Sequence, residues 1–187
     1  ALRAAEPLSI ELKKWTRIVD YRYSLEPLSA AGSLAQGGRF NVGRDLDPKH
    51  FPPFPALYIA QDYETAYQEK FGGSGNGDPD ILTGAELALA NRLGMKPPLL
   101  ITTAAKLREA LLTPGWRGMP VQLEIPANSQ IFGRLLIEAG FEGVIYPSAK
   151  GLGTCIALFP ENLPGSESYV ELIDPVPDAI QHRRIDS

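Results

Sequence analysis

The chain is poor in the residues that most metal centres and acid–base active sites use. It has one cysteine, Cys155, and two histidines, His50 and His182, among 187 residues. Structural zinc sites take four Cys or His ligands, so this inventory is too small for the usual kinds. A single cysteine also excludes an internal disulfide and is typical of proteins from a reducing compartment. We therefore expect no metal and a cytoplasmic protein.

Long apolar runs and an excess of basic charge are missing as well. No run approaches the roughly 20 residues of a membrane-spanning helix. Residues 1–15 lack the continuous apolar segment of a signal peptide. The 18 Lys and Arg residues are outnumbered by 22 Asp and Glu residues, which gives a net charge of −4. Nucleic-acid-binding proteins usually have a basic face, so we expect no direct contact with nucleic acid or with a membrane.

The signatures of several large enzyme classes are absent too. The chain has no HExxH, no GxSxG and no GxGxxG following a strand. The glycine-rich segment 72–80 lacks the Lys-Ser/Thr ending of a phosphate-binding loop, so we interpret it as a connection or a mobile lid. His50 lies beside three prolines, where a surface loop is expected. Many hydrolases and dehydrogenases are thereby excluded.

The pattern of apolar residues predicts one α+β domain. Its length and its hydrophobic fraction of 44% suit a single core. Strands and helices without regular βαβ alternation favour the α+β class. We predict an arm over 1–16, the domain over 17–173 and a tail over 174–187. Period-2 or short apolar runs predict strands at 17–23, 56–60, 99–103, 121–125, 143–147, 154–160 and 169–173, and 24–38 is predicted as a loop.

Four helices are predicted, each from a cap or an apolar stripe. They cover 63–71, 83–93, 104–112 and 129–139. Asp62 is expected to cap the first, Thr83 and Glu86 the second, and Asn128 or Ser129 the last, which ends at Gly140. The predicted core faces are Tyr63, Ala66, Tyr67 and Phe71 on the first helix and Ile131, Phe132, Leu135, Leu136 and Ala139 on the last.

The polar residues between Gly37 and Phe71 are the best candidates for a site. A glycine-flanked arginine, Arg39, precedes Asn41; Tyr58 lies on a predicted strand and Glu69 on the flank of a predicted helix. A cation, an aromatic ring and a carboxylate on a turn, a strand and a helix suit an anionic ligand that contains a ring. Such a set has no obvious strong base, and it fits chemistry whose difficulty is transition-state charge.

These segments resemble the RES-domain family, the toxin half of RES–Xre toxin–antitoxin pairs. The matching segments are YRY at 21–23, LSAAGS, GGRFN, ALYIA, ETAYQE, NSQIFG and FEGVIYPSA, and they span about residues 17–173. The resemblance implies an ADP-ribosyltransferase-like fold with central β-sheets and flanking helices. It also implies consumption of NAD, without a metal, and an Xre-family antitoxin as partner. The acceptor of ADP-ribose is left open between a protein, phosphate and water.

Carried over residue by residue, the resemblance assigns Arg22, Glu69 and Ser129 to catalysis. Arg22 is expected on a strand, and Ser148 of YPSA is a second position for the family serine. Phe40 stands where the family usually has tryptophan, a mild change for packing. The residues assigned to binding NAD are Arg39, Tyr23, Tyr58, Ser29, Asn41 and Ser148.

The chemistry of NAD gives these residues their roles. Cleavage of the nicotinamide–ribose bond passes through an oxocarbenium-like ribose, as in glycoside hydrolysis, and Glu69 would stabilise that cation. Arg22 and Arg39 would bind the pyrophosphate, since the planar guanidinium donates two hydrogen bonds at once. Tyr23 or Tyr58 would cover the nicotinamide ring.

Two alternatives compete with this hypothesis. A catalytically inactive RES-like module would only bind a partner, but it would not need Arg22, Arg39, Tyr58 and Glu69 together. A glycosidase that uses Glu64 and Glu69 is disfavoured, because residues five apart on a helix diverge by about 140°.

Overall fold

A mostly antiparallel sheet forms the centre of the fold in the computed structural model. The described residues are 14–72, 87–93, 99–101, 109–150, 153–165, 168–173, 178–180 and 183–185. Their eight strands are β1 (Lys14–Val19), β2 (Leu57–Ala60), β3 (Leu87–Leu93), β4 (Leu99–Ile101), β5 (Gly143–Pro147), β6 (Thr154–Leu158), β7 (Val170–Leu172) and β8 (Arg184–Ile185). The strand order is β4-β5-β6-β2-β1-β3-β7-β8, and β4 and β5 pair in parallel.

Helices connect and flank these strands. The α-helices with full bounds in the described residues are α1 (Ala31–Gln36), α2 (Tyr63–Phe71), α3 (Gly118–Leu123) and α4 (Asn128–Glu138). Two 3₁₀ turns cover Tyr21–Tyr23 and Pro160–Asn162. In the part of the chain that the structure describes, no helix is long and apolar enough to cross a membrane. The predicted α+β class is confirmed.

Both faces of the central strands are buried. Leu57 and Ile59 of β2 pack into one core cluster with Ile156 and Leu158 of β6. The alternate residues of the same strands, among them Ala60 and Cys155, belong to the other cluster. Side chains alternate between the faces of a strand, so a strand buried on both faces reads as a continuous apolar run. This explains why β2, β5 and β6 are recognisable in the sequence.

Helix α4 is fitted closely onto the segment that carries Arg39. A Cβ atom on Gly133 would overlap the carbonyl oxygen of Phe40, so the helix approaches that backbone as closely as a glycine allows. The Gln130 side-chain amide donates to the carbonyl oxygens of Gly38 and Asn41, each at 3.0 Å. The same helix thus packs on this segment and satisfies its carbonyl groups.

Many of the predicted elements are found. The strands at 56–60, 99–103, 143–147, 154–160 and 169–173 and the helices at 63–71 and 129–139 are confirmed to within a few residues. Asp62 caps α2 as predicted and accepts from the Thr65 amide at 2.7 Å. Gly140 follows α4 with φ +86°, a conformation that favours glycine.

Four predicted elements are wrong. The strand predicted at 17–23 ends at Val19 and is followed by a 3₁₀ turn, so Arg22 does not lie on a strand. The predicted loop 24–38 contains α1, and the strand predicted at 121–125 overlaps α3. The helix predicted at 83–93 is strand β3 over Leu87–Leu93, because six residues there pair with β1. Pairing between distant segments overrides a local helix preference.

The helix faces and caps also differ from the predictions. On α2, Thr65 and Ala66 are buried, whereas Tyr63 is 42% exposed. On α4, Phe132 and Leu136 are buried and Ile131 and Leu135 are exposed. Ala127 precedes α4, and its amide donates to the Gln130 side chain at 2.9 Å, so neither Asn128 nor Ser129 is the cap. In each helix the stripe of buried residues is narrower than the stripe of apolar residues in the sequence.

The domain edges extend beyond the predicted bounds. Lys14 to Thr16, assigned to the arm, belong to β1, and Arg184–Ile185, assigned to the tail, form β8. Within the helix predicted at 104–112, residues 109–111 are helical, and 104–108 lie outside the described residues. The predicted mobile segment 72–80 also lies outside them, apart from Gly72.

The contact between α4 and Phe40 predicts the effect of a single methyl group. Gly133→Ala should lower the free energy of unfolding by roughly 1–3 kcal/mol, because a backbone carbonyl cannot move aside as a side chain can. The measurement is urea unfolding followed by circular dichroism. Gly32→Ala is the matched control: Gly32 is also helical, and its added Cβ would meet nothing within 4 Å. Equal stability of the two variants would contradict this account of the packing.

Candidate active site

A tight turn presents Arg39 between two backbone hydrogen bonds. The Gly38 amide donates to the Asn41 carbonyl at 3.0 Å, and the Asn41 amide donates back at 3.4 Å. A Cβ atom on Gly38 would lie 2.5 Å from the Tyr58 hydroxyl, so only glycine fits there. Gly37 has φ +66°, which also favours glycine. The two glycines therefore let the turn lie against β2.

Asn41 and Tyr58 form a buried hydrogen-bonded pair beneath this turn. The Tyr58 hydroxyl donates to Asn41 Oδ1 and accepts from the Phe40 amide, both at 2.9 Å. Asn41 Nδ2 donates to the carbonyl oxygens of Ser33 at 2.8 Å and Phe54 at 2.9 Å. Asn41 is fully buried, so its predicted contact with a ligand is not supported, and its side chain holds the fold instead. Burial raises the pKa of Tyr58, whose hydroxyl stays protonated.

Arg39 extends from the turn towards the segment after the described helical residues 109–111. Its Nη1 donates to the Thr113 carbonyl at 3.1 Å, and its guanidinium carbon lies 5.9 Å from the centre of the Trp116 ring. Desolvation lowers the pKa of Arg39, while the nearby Tyr146 and Glu69 act in the opposite direction. No carboxylate of the described residues lies within ion-pair distance of Arg39. Its charge is therefore available to a ligand.

Glu69 of α2 is held by the turn between β5 and β6. Its Oε1 accepts from the Ser148 hydroxyl at 2.6 Å and from the Ala149 amide at 2.8 Å. The negative charge of Glu69 acts to raise the pKa of both Arg39 and Cys155. Burial, with a smaller effect of Glu69, raises the pKa of Cys155 to about 12, which keeps this thiol protonated. A carboxylate and an arginine thus share one region without a thiolate beside them.

The serine beside Glu69 is Ser148 and not Ser129. Ser129 lies on α4, is 1% exposed, and its hydroxyl has no hydrogen-bond partner among the described residues. The described contacts join it to neither Glu69 nor Arg39, and its catalytic role stays a prediction. The sequence offered two serines, and it could not show the bond that distinguishes them because Glu69 and Ser148 are 79 positions apart.

The other predicted residues lie at the start of the chain. Arg22 and Tyr23 form the 3₁₀ turn after β1, and the Tyr23 side chain is about half exposed. Ser29 lies just before α1, and its hydroxyl accepts from the Ala31 amide at 3.3 Å. The roles predicted for these three residues stay predictions.

Arg17 of β1 is the residue that sequence reasoning missed. It donates to the carbonyl oxygens of Tyr58 and Ser29, both at 3.0 Å, and its buried Nε has no partner in the described part of the chain. Burial lowers the pKa of Arg17 to about 10. Trp15 and Val19 lie two residues before and after Arg17, on the same face of the strand, and both are buried. A lone cation on an otherwise apolar strand face was the available signal.

Arg17 lies where two central strands separate. In the described register β1 pairs with β2 at one position, Thr16 with Ala60, whereas it pairs with β3 at six. The Arg17 guanidinium binds the Tyr58 carbonyl beyond that pair, in place of a further backbone bond. Arg17 therefore lies where β1 and β2 separate, and it is bonded to the backbone of Tyr58, whose hydroxyl supports the Arg39 turn.

Comparison with known proteins identifies the same stretch of chain. A family model described as RES domain matches residues 14–181. The fold is similar to that of a chain in the crystal structure of the M. tuberculosis MbcT–MbcA toxin–antitoxin complex, with a TM-score of 0.60 and 17% sequence identity. The match covers 96% of this chain and 92% of that one, and it confirms the predicted fold. A search of the curated proteins finds no match.

The buried hydroxyl of Tyr58 leads to a prediction for stability. Tyr58→Phe leaves Asn41 Oδ1 and the Phe40 amide without their partner, so the free energy of unfolding should fall by roughly 1–3 kcal/mol. Chemical denaturation measures the change. Tyr21→Phe is the control, since Tyr21 is 72% exposed, and it should change stability by less than about 0.5 kcal/mol. A Tyr58→Phe chain as stable as the Tyr21→Phe chain would show that the pair does not hold the turn.

Proposed function

The chain belongs to the RES-domain family, and from that premise we propose that it is the NAD-consuming toxin of a toxin–antitoxin system. One observation carries the proposal: Glu69 is oriented by Ser148 and Ala149 within electrostatic reach of Arg39, an arginine without an ion-pair partner among the described residues. NAD offers the complementary pair of charges. Its pyrophosphate is anionic, and its ribose becomes cationic when the nicotinamide bond breaks.

Glu69 is the residue proposed to stabilise that cation. Both hydrogen bonds that it accepts from described residues fall on Oε1, and Oε2 is proposed to face the ribose. Its two donors are neutral and fix the direction of the carboxylate without cancelling its charge. A preorganised carboxylate beside an oxocarbenium-like ribose lowers the barrier, as the paired carboxylates of glycosidases do.

Arg39 is the residue proposed to bind the pyrophosphate. Its guanidinium is half-buried and has no carboxylate partner in the described residues, and a planar guanidinium suits phosphate oxygens. Arg17, bonded to the backbone carbonyl of Tyr58, is proposed to add a second positive charge near this turn. Nicotinamide leaves NAD as a neutral group from a cationic ring, so the step needs no general acid. The small number of histidines is consistent with this.

A separate antitoxin is the proposed partner. An enzyme that consumes NAD in the cytoplasm must be restrained, and the similar structure is named as a toxin–antitoxin complex. We propose an Xre-type antitoxin that restrains the NAD site. The acceptor of ADP-ribose, whether a protein, phosphate or water, would be identified by the products.

The assignment of Glu69 predicts a loss of turnover. Glu69→Gln keeps both donors close to a side-chain oxygen but removes the charge, so NAD consumption should fall by about a hundredfold or more. The rate is followed by loss of NAD, with products identified by mass in the presence and absence of phosphate. Glu64→Gln is the matched control, because Glu64 lies on the same helix, is exposed and binds only Gln68 among the described residues.

The expected result is a normal rate for Glu64→Gln and a folded, inactive Glu69→Gln chain. Equal rates for the two variants would remove Glu69 from the mechanism. A parent chain that leaves NAD intact under every condition would instead favour the inactive partner-binding module.

The proposed partner leads to a prediction in cells. Expression of this chain alone should stop growth and lower cellular NAD, and co-expression with the Xre-type antitoxin encoded beside it should restore both, because the partner blocks the site. Growth and NAD content are measured together, with Glu69→Gln as the harmless control. A purified complex that consumes NAD as fast as the free chain would contradict restraint at the site.

A further inference from the structure

Two arginines share one tryptophan beside the candidate site. The guanidinium carbons of Arg39 and Arg117 lie 5.9 and 5.3 Å from the centre of the Trp116 ring. Contacts of this length between a guanidinium and an aromatic ring are attractive. Arg39 is further fixed by its bond to the Thr113 carbonyl. The short segment 113–117 therefore contacts Arg39 and also contains Arg117.

The two positive charges lack an acidic partner among the described residues. In the described parts of the chain neither arginine has a carboxylate within ion-pair distance, although the protein as a whole carries a net charge of −4. The ion pairs found elsewhere, such as Arg134 with Glu138, show that acidic partners are at hand for other arginines. An anion that contacts both guanidinium groups would be attracted by both charges.

Arg117 also reaches the site electrostatically. Its charge, like that of Arg39, acts to lower the pKa of the Tyr58 hydroxyl, although burial dominates and the net pKa is raised. Tyr58 lies beneath the Arg39 turn. Both arginines therefore act on the same hydroxyl, which places Arg117 near the Arg39 turn.

We propose that Arg39 and Arg117 form one anion clamp, positioned by Trp116, that binds the two phosphates of a dinucleotide. Arg117 is then a further substrate-binding residue, and Trp116 is a positioning residue because it acts through the arginines. Two guanidinium groups suit a pyrophosphate better than a single phosphate, since each can donate to a different phosphate. The identification of the ligand rests on the proposed function, but the clamp itself rests on the geometry.

Binding of ADP-ribose, which needs no turnover, tests the clamp. Arg117→Ala should weaken ADP-ribose at least tenfold, and Arg117→Lys should recover only part of the loss because lysine lacks the planar fork. Inorganic pyrophosphate should show the same ranking, whereas AMP, with one phosphate, should be affected less. Isothermal titration calorimetry gives the affinities, and a shallower salt dependence for Arg117→Ala is expected. Thermal melting confirms that each variant is folded.

Arg134→Ala is the matched control for the arginine. Arg134 also contacts an aromatic ring, with its guanidinium carbon 5.7 Å from the Phe54 centre, but it is paired with Glu138. It should bind ADP-ribose like the parent. For the tryptophan, Trp116→Leu should weaken ADP-ribose, and Trp116→Phe should restore most of the affinity because it keeps an aromatic face. A role in packing alone would change the melting temperature without this rescue.

The outcomes separate the clamp from the proposed function. If the parent consumes NAD and Arg117→Ala binds ADP-ribose as tightly as Arg134→Ala, the clamp is overturned and the proposed function stands. If the parent leaves NAD intact but binds pyrophosphate through Arg39 and Arg117, the clamp stands and the function falls. A parent that binds neither pyrophosphate nor ADP-ribose overturns the clamp.

Discussion

The buried hydrogen bonds of Asn41 and Tyr58 are the constraint on which the site depends. A fully buried amide must satisfy its donors and acceptor within the protein, since an unpaired buried polar group costs about 1–3 kcal/mol. Asn41 does so with the carbonyl groups of Ser33 and Phe54 and with the Tyr58 hydroxyl, and it thereby joins α1, the Phe54 segment and β2 to the Arg39 turn. These hydrogen bonds hold the turn in place, and they therefore fix the position of Arg39.

A second constraint acts where β1 leaves β2. The central sheet would close if the two strands continued to pair, but the Arg17 guanidinium takes the Tyr58 carbonyl that further pairing would use. Its cost is desolvation of a charge, seen in the lowered pKa of Arg17. The carbonyl groups of Tyr58 and Ser29 accept hydrogen bonds from the guanidinium and offset part of that cost.

Elements that are determined by local sequence patterns could be predicted, whereas elements and contacts that depend on pairing between distant segments could not. Strands β2, β5 and β6 are short apolar runs buried on both faces, and the Asp62 side chain caps α2. Both kinds of element can therefore be recognised in the sequence. Strand β3 was mistaken for a helix because its six pairs with β1 leave no trace in its own residues. Arg17, Arg22, Ser129 and Ser148 could not be sorted from the sequence for the same reason. The contacts of Arg17 and Ser148 lie 41 and 79 residues away.

The separation of charges completes the physical case for the site. Glu69 and Arg39 influence each other electrostatically, yet they are not within ion-pair distance. An ion pair between them would have cancelled both charges, and a ligand would have had to break it. Instead Ser148 and the Ala149 amide hold the carboxylate, and Thr113 and Trp116 hold the arginine, all without opposing charge. Each charged group is held in place without being neutralised by the other, as preorganised electrostatic stabilisation requires. A ligand with an anion at one end and a developing cation at the other is therefore complementary to this arrangement.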